Sequence, residues 1–174
     1  MTADLEKMLS PASIAIVGAS EDANKLGGRP LKFLQDKGYA GTIYPINPKH
    51  REIGGLACYP DIDALPEAAD LAIVALPAKF VVEAVERLGA KGVPAAVVFS
   101  SGFGEMGEAG KAEEARLAEV ARAGGVRICG PNGLGLINAF EGVMATFTQY
   151  GYGDVPAGPV GFVTQSGSFG TAIS

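Results

Sequence analysis

The sequence predicts a doubly wound α/β fold with a mostly parallel sheet, and three observations carry the prediction. Apolar runs at residues 13–17, 71–76 and 95–99 show no alternation of hydrophobic and polar residues, as expected of parallel strands covered on both faces. Segments with apolar residues at helical spacing lie between them, so strand and helix alternate along the chain. Each run empties into a loop of small or hydroxylated residues, and crossovers of this kind are right-handed.

Taken in order, residues 1–9 set Asp4, Glu6 and Lys7 among Leu5, Met8 and Leu9, a short amphipathic helix too charged for a signal peptide. The first strand ends in Gly18-Ala19-Ser20 and a loop, Glu21-Asp22-Ala23-Asn24-Lys25. Pro30 opens a helix on Leu31, Phe33 and Leu34 that stops at Gly38. Residues 42–46 form the second strand, ending in Asn47-Pro48-Lys49. Residues 50–66, with Gly54, Gly55, Pro60 and Pro66, read as a connection holding a short helix. The third strand ends at Pro77-Ala78, and Phe80, Val81, Ala84, Val85 and Leu88 mark a helix face closed by Gly89. The fourth strand runs into Ser100-Ser101-Gly102-Phe103-Gly104-Glu105. A helix over residues 111–123 follows, with Ala115, Leu117, Ala118, Val120 and Ala121 as its stripe and Gly124-Gly125 as its stop. Residues 126–129 are a short strand before Gly130-Pro131-Asn132-Gly133-Leu134-Gly135, a loop that either admits a ligand to the backbone or is simply irregular. The division expected is a first domain over residues 1–143, a linker over 144–158 and, over 159–174, the first strand and helix start of a second domain. Those last residues are too few to bury a core of their own.

Composition narrows the function. The 174 residues, 48% of them hydrophobic, suffice for one ordinary core. A net charge of −5 without basic clusters argues against nucleic acid, and no apolar run approaches a membrane span. Cys58 and Cys129 have no C-x-x-C or metal-ligand spacing, so no metal is expected; both read as reduced thiols of a cytoplasmic protein, Cys129 in the core. His50, the single histidine, reads as a solvated loop residue rather than a base.

Gly18 and Ala19 leave room for a phosphate to reach backbone N–H groups, and Ser20 adds a hydroxyl at the helix end that favours anions. The same residues would serve a ligand-free turn. The pattern is not G-x-G-x-x-G: Gly27 and Gly28 come later, after Lys25. A dinucleotide site also wants a carboxylate after the second strand. Asn47-Pro48-Lys49 stands there instead, which disfavours NAD and leaves NADP open. In a doubly wound sheet the loops holding Ser20, Lys49, Ala78, Ser101 and Asn132 all fall at the carboxyl edge, and their coincidence points to a nucleotide-like ligand. Ser166-Gly167-Ser168 is a second anion cradle, or an ordinary helix cap.

The ordered series Ile16-Val17-Gly18-Ala19-Ser20, Tyr44-Pro45-Ile46-Asn47-Pro48-Lys49, Asp70 to Ala78, Ser100 to Glu105, Gly130 to Gly135 and Gln165 to Ser168 resembles the CoA-binding domain of NDP-forming acyl-CoA synthetases. These are relatives of the succinyl-CoA synthetase α subunit and include ADP-forming acetate–CoA ligases. The resemblance implies a Rossmann-like CoA-binding domain followed by a flavodoxin-like one. It implies that residues 20–25 and Lys49 face the phosphates and adenosine of CoA, that Ser100 and Ser101 lie along the ligand, and that Pro77 and Ala78 are close by. It implies the reaction acid + CoA + ATP ⇌ acyl-CoA + ADP + phosphate, through an acyl phosphate and a phosphohistidine beyond this chain, with no catalytic residue inside it. Ser166, Gly167 and Ser168 match the helix start that receives the phosphoryl group. ATP, Mg²⁺ and an ATP-grasp domain or subunit belong to the complete enzyme, and uncovered apolar residues after Pro159 suggest an oligomer. The competing readings are a CoA-sensing module, alone or fused to an acyltransferase, and an NADP-binding oxidoreductase domain.

Overall fold

The computed structural model describes residues 3–165, and within them strand and helix alternate as the sequence requires. In chain order these are α1 (Ala3–Leu9), β1 (Ser13–Val17), α2 (Arg29–Asp36), β2 (Thr42–Ile46), β3 (Glu52–Ile53), β4 (Leu56–Ala57) and β5 (Leu71–Val74). There follow α3 (Val81–Lys91), β6 (Ala95–Val98), α4 (Glu108–Ala123), β7 (Arg127–Cys129), β8 (Gly135–Asn138) and β9 (Val143–Thr146). Five strands form one parallel sheet in the order β2-β1-β5-β6-β7, and the pairs β3-β4 and β8-β9 are separate hairpins.

Successive side chains of a strand point to opposite faces, and here both faces are buried. Ala15, Ala72 and Ala96 lie abreast in register. They face Val81, Val85 and Leu88 of α3 and Leu117 of α4, and small side chains let those helices sit close to the sheet. On the other face Ile14, Ile16, Leu71 and Ile73 meet Met8 of α1, Leu31, Phe33 and Leu34 of α2, and Val143, Met144 and Ala145 of β9.

The structure departs from several of the expected element bounds and placements. Residues 50–66 hold no helix. Gly54 and Gly55, at φ 59° and 76°, make instead the two-residue turn that sets Ile53 opposite Leu56, the positive-φ turn that matches strand twist. Gly89 does not close α3, which runs on to Lys91 and ends at a left-handed Gly92. A Cβ on Gly89 would stand 2.8 Å from Gly124 Cα, so its smallness serves helix contact. Helix α4 begins at Glu108, and Ala115 of the expected stripe is exposed. Cys129 packs at the margin of the core, partly exposed. Residues 144–146 are not linker but most of β9, fully buried. The strand expected over residues 159–164 is not among the strands of the described residues. The expected cradle at Ser166, Gly167 and Ser168 lies outside the described residues. No described helix is long and apolar enough to cross a membrane.

Candidate functional site at the carboxyl edge of the sheet

The chain leaves β1 towards β2 on one side and β5 towards β6 on the other, so the strand order reverses between β1 and β5. Ligands of doubly wound sheets bind outside the carboxyl ends at such a point. Gly18, Asn47, Ala75, Phe99 and Gly130 are the first residues past the ends of the five strands, so the loops singled out in the sequence do share one edge.

The first of those loops is tighter than expected. The amides of Gly18 and Ala19 both donate to the Ile46 carbonyl, at 3.0 and 3.1 Å, so neither is left for a phosphate. A Cβ on Gly18, whose φ is +86°, would lie 2.6 Å from the Ala75 carbonyl oxygen; the room is filled by the neighbouring strand. The Ala19 side chain is wholly buried in the core. Gly27 and Gly28 press on the same loop: a Cβ on Gly27 would stand 2.0 Å from Gly18 O, and one on Gly28 2.1 Å from Asp22 O. What this packing leaves outward is Ser20 and residues 21–25. Ser20 Oγ accepts the Asp22 amide at 3.1 Å, keeping its own O–H to give, and Lys25 is exposed. Asp22 Oδ1 takes both the amide and the side-chain amide of Asn24, and the Asn24 amide foremost holds the Asp22 carboxyl below the usual carboxylate range.

At the end of β2, Asn47 is a brace rather than a free amide. Its Nδ2 donates to Ala19 O at 2.8 Å, and its Oδ1 accepts the Lys49 amide at 2.9 Å. That turn carries Pro48 and leaves the side chains of Lys49 and Arg51 exposed beside the edge. Ser100 is likewise committed: only 4% exposed, it donates its hydroxyl to Leu76 O at 2.6 Å, while its carbonyl accepts the Asn132 amide at 2.9 Å. Ser101 and Pro77 are exposed, Gly102 and Ala78 half-buried, and a Cβ on Gly102 would meet the Ala78 Cβ at 2.9 Å. Asn132, at φ 54°, is exposed at the end of the row.

Sequence reasoning missed two features of this edge. A cleft of about 140 Å³ opens between the β1–α2 loop and the β3–β4 hairpin, lined by Ser20, Gly28, Leu31, Gln35, Ile53 and Gly54. It is closed on one side where Gln35 Nε2 donates to Gly54 O at 2.8 Å, and the Gly-Gly turn was its only signal in the sequence. The second is Glu105, whose carboxylate accepts the amides of Gly102 and Phe103.

Residues 12–139 match the family described as the CoA binding domain. ADP-forming acetate–CoA ligase I of Archaeoglobus fulgidus is 43% identical over 169 residues, which are 97% of this chain and 24% of the relative. The alpha subunit of ADP-forming acetate–CoA ligase I of Pyrococcus furiosus is 42% identical over 173 residues, 97% of this chain and 37% of the subunit. Among solved structures, the dinucleotide forming acetyl-coenzyme A synthetase 1 of Ca. Korarchaeum cryptofilum, in complex with phosphate and ADP, superposes with a TM-score of 0.90 at 39% identity. The match covers 97% of this chain and 35% of that one. This chain thus spans between about a quarter and two fifths of the length of these relatives.

Proposed function

The chain belongs to the CoA-binding domain family, and from that premise we propose that it is the CoA-binding, N-terminal portion of an ADP-forming acid–CoA ligase. The reaction of the complete protein is then acid + CoA + ATP ⇌ acyl-CoA + ADP + phosphate, by way of an acyl phosphate and a phosphohistidine. ATP, Mg²⁺ and the ATP-grasp part belong to a further domain or to a partner subunit, in keeping with a relative named as an alpha subunit. Ser166, Gly167 and Ser168 are assigned to the second domain, where a helix start steadies the phosphoryl group. The protein works in the cytoplasm, as part of an oligomer.

The observation that carries this reading is the β1/β5 switch point, with exposed Lys25 and Lys49 and the Ser20 hydroxyl on one side and Ala78, Ser101 and Gly102 on the other. Lys25, Lys49 and Ser20 take the phosphate end of CoA, with the adjoining cleft for its adenosine. Pro77, Ala78, Ser101 and Gly102 flank its uncharged length, towards Asn132. Gly18, Ala19, Gly27, Asn47, Pro48 and Ser100 support it from behind by fixing the loops.

Calorimetric titration of the chain with CoA is expected to give saturable heat. Lys49→Ala should weaken binding about fivefold, roughly 1 kcal/mol for an exposed and salt-screened ion pair. No heat with CoA and clear heat with NADPH would reject the reading in favour of a dinucleotide site.

A further inference from the structure

The turn after β6 spends its backbone amides on its own chain. Gly102 N and Phe103 N donate to the two carboxylate oxygens of Glu105, at 2.5 and 3.2 Å. Gly104 N donates to Glu114 Oε2 at 2.9 Å, and Met106 N and Gly107 N donate to Phe103 O and Gly104 O. No amide from Gly102 to Gly104 is therefore open to an anion, and two carboxylates stand where a ligand phosphate would be repelled.

Glu105 is exposed, so its bonds add little to the core. What they fix is local shape. Gly102 sits at φ +109°, a region glycine enters as readily as negative φ, so the residue by itself does not hold the turn in one shape. The turn leans on Ala78, and it carries Ser101 on the edge where β5 and β6 end. The Glu105 carboxyl is held below the usual carboxylate range, chiefly by the Gly102 amide, so it stays an acceptor at neutral pH.

We propose that Glu105 is a positioning residue of the CoA site, its carboxylate clamping the turn at residues 101–103 in the shape that receives the ligand beside Ala78. The proposal rests on the reading of this edge as a CoA site. Its consequence is pre-organisation: without the clamp, the turn must be ordered at the moment of binding.

The test is calorimetric titration with CoA of the wild-type chain, Glu105→Ala, Glu105→Gln and, as a control, Glu108→Ala, which removes an exposed carboxylate paired with Lys111. Thermal unfolding and hydrogen exchange at the Gly102 and Phe103 amides are followed in parallel. A turn that keeps its shape a tenth of the time weakens apparent affinity about tenfold, and that loss is expected for Glu105→Ala. Glu105→Gln, which keeps one acceptor oxygen, should fall between the two. Unfolding midpoints should stay level, and exchange at both amides should quicken in Glu105→Ala. Wild-type affinity in Glu105→Ala, or an equal loss in Glu108→Ala, overturns the positioning role while leaving the CoA reading intact. Affinity that falls only in step with the unfolding midpoint overturns it too. Absence of CoA binding in the wild-type chain overturns the CoA reading itself, and the proposal with it.

Discussion

The Tyr44 hydroxyl donates to Glu67 Oε1 at 2.5 Å, and Tyr44 also meets Tyr59 edge-on, with ring centroids 5.8 Å apart. The bond to Glu67, followed by burial, pushes the Tyr44 pKa from 10.0 up to about 12. A group whose folded pKa is raised is one whose protonated form the fold prefers. Its contribution to stability is therefore complete below pH 10 and is lost as pH climbs from 10 through about 12. Urea unfolding across that window should show a steeper loss of stability for the wild-type chain than for Tyr44→Phe; parallel curves would contradict this account. Ser100 makes a second case. Ser100→Ala leaves the Leu76 carbonyl without its side-chain donor in a nearly buried place. The loss expected is about 1–2 kcal/mol of stability, read as a lower denaturant midpoint with unchanged slope. Neither serine nor asparagine betrayed this duty in the sequence, because the carbonyls that Ser100 and Asn47 hold lie 24 and 28 residues away. Hydroxyl and amide at strand ends read equally as ligand contacts and as braces, and only the fold separates the two.

At the scale of elements, legibility followed burial. Strands β1 (after Ser13), β5 and β6 are apolar because both their faces are covered, and that demand is local enough to read. The ends of elements answer to partners far along the chain. Gly89 looks like a helix stop, yet it lies inside α3 and lets that helix touch Gly124. Strand β9 carries no period that sets it apart from a linker, and its burial depends on α2 and the sheet. Gly89→Ala separates the two readings of that glycine. If Gly89 were only a weak helix residue, alanine would stabilise by about 1 kcal/mol through helix propensity. A Cβ placed 2.8 Å from Gly124 Cα instead forces the α3–α4 contact apart, and overpacking of this kind costs about 1–3 kcal/mol. The contact should win, so a lowered unfolding midpoint is expected; a raised one would show that the two helices part freely.

For the whole molecule the open question is where the first domain ends. The family match stops at residue 139, short of β9, whose Val143 and Met144 are no more than 1% exposed in the same core as β1 and α2. Beyond β9 the chain is strapped along α2. Arg29 donates to Phe147 O at 2.9 Å, the Tyr152 ring meets Phe33 edge-on at 4.8 Å, and Lys37 Nζ donates to Gly153 O. Gly151 lies so close to Phe33 that a Cβ there would stand 2.3 Å from its ring. After Gly153 the described residues are mostly exposed and carry no helix or strand. The folding unit on this view runs through residue 153, and any second domain begins after it. Two large side chains buried by β9 are worth roughly 3–6 kcal/mol as an upper estimate, a large part of the roughly 5–15 kcal/mol that holds a domain together. A chain ended at residue 139 should therefore unfold at far lower urea than one ended at 153, with exposed apolar surface detectable by dye binding. The chain ended at 153 should match the midpoint of the 174-residue chain. Equal midpoints for the two shortened chains would mean that β9 and the strap are passengers on a core complete without them.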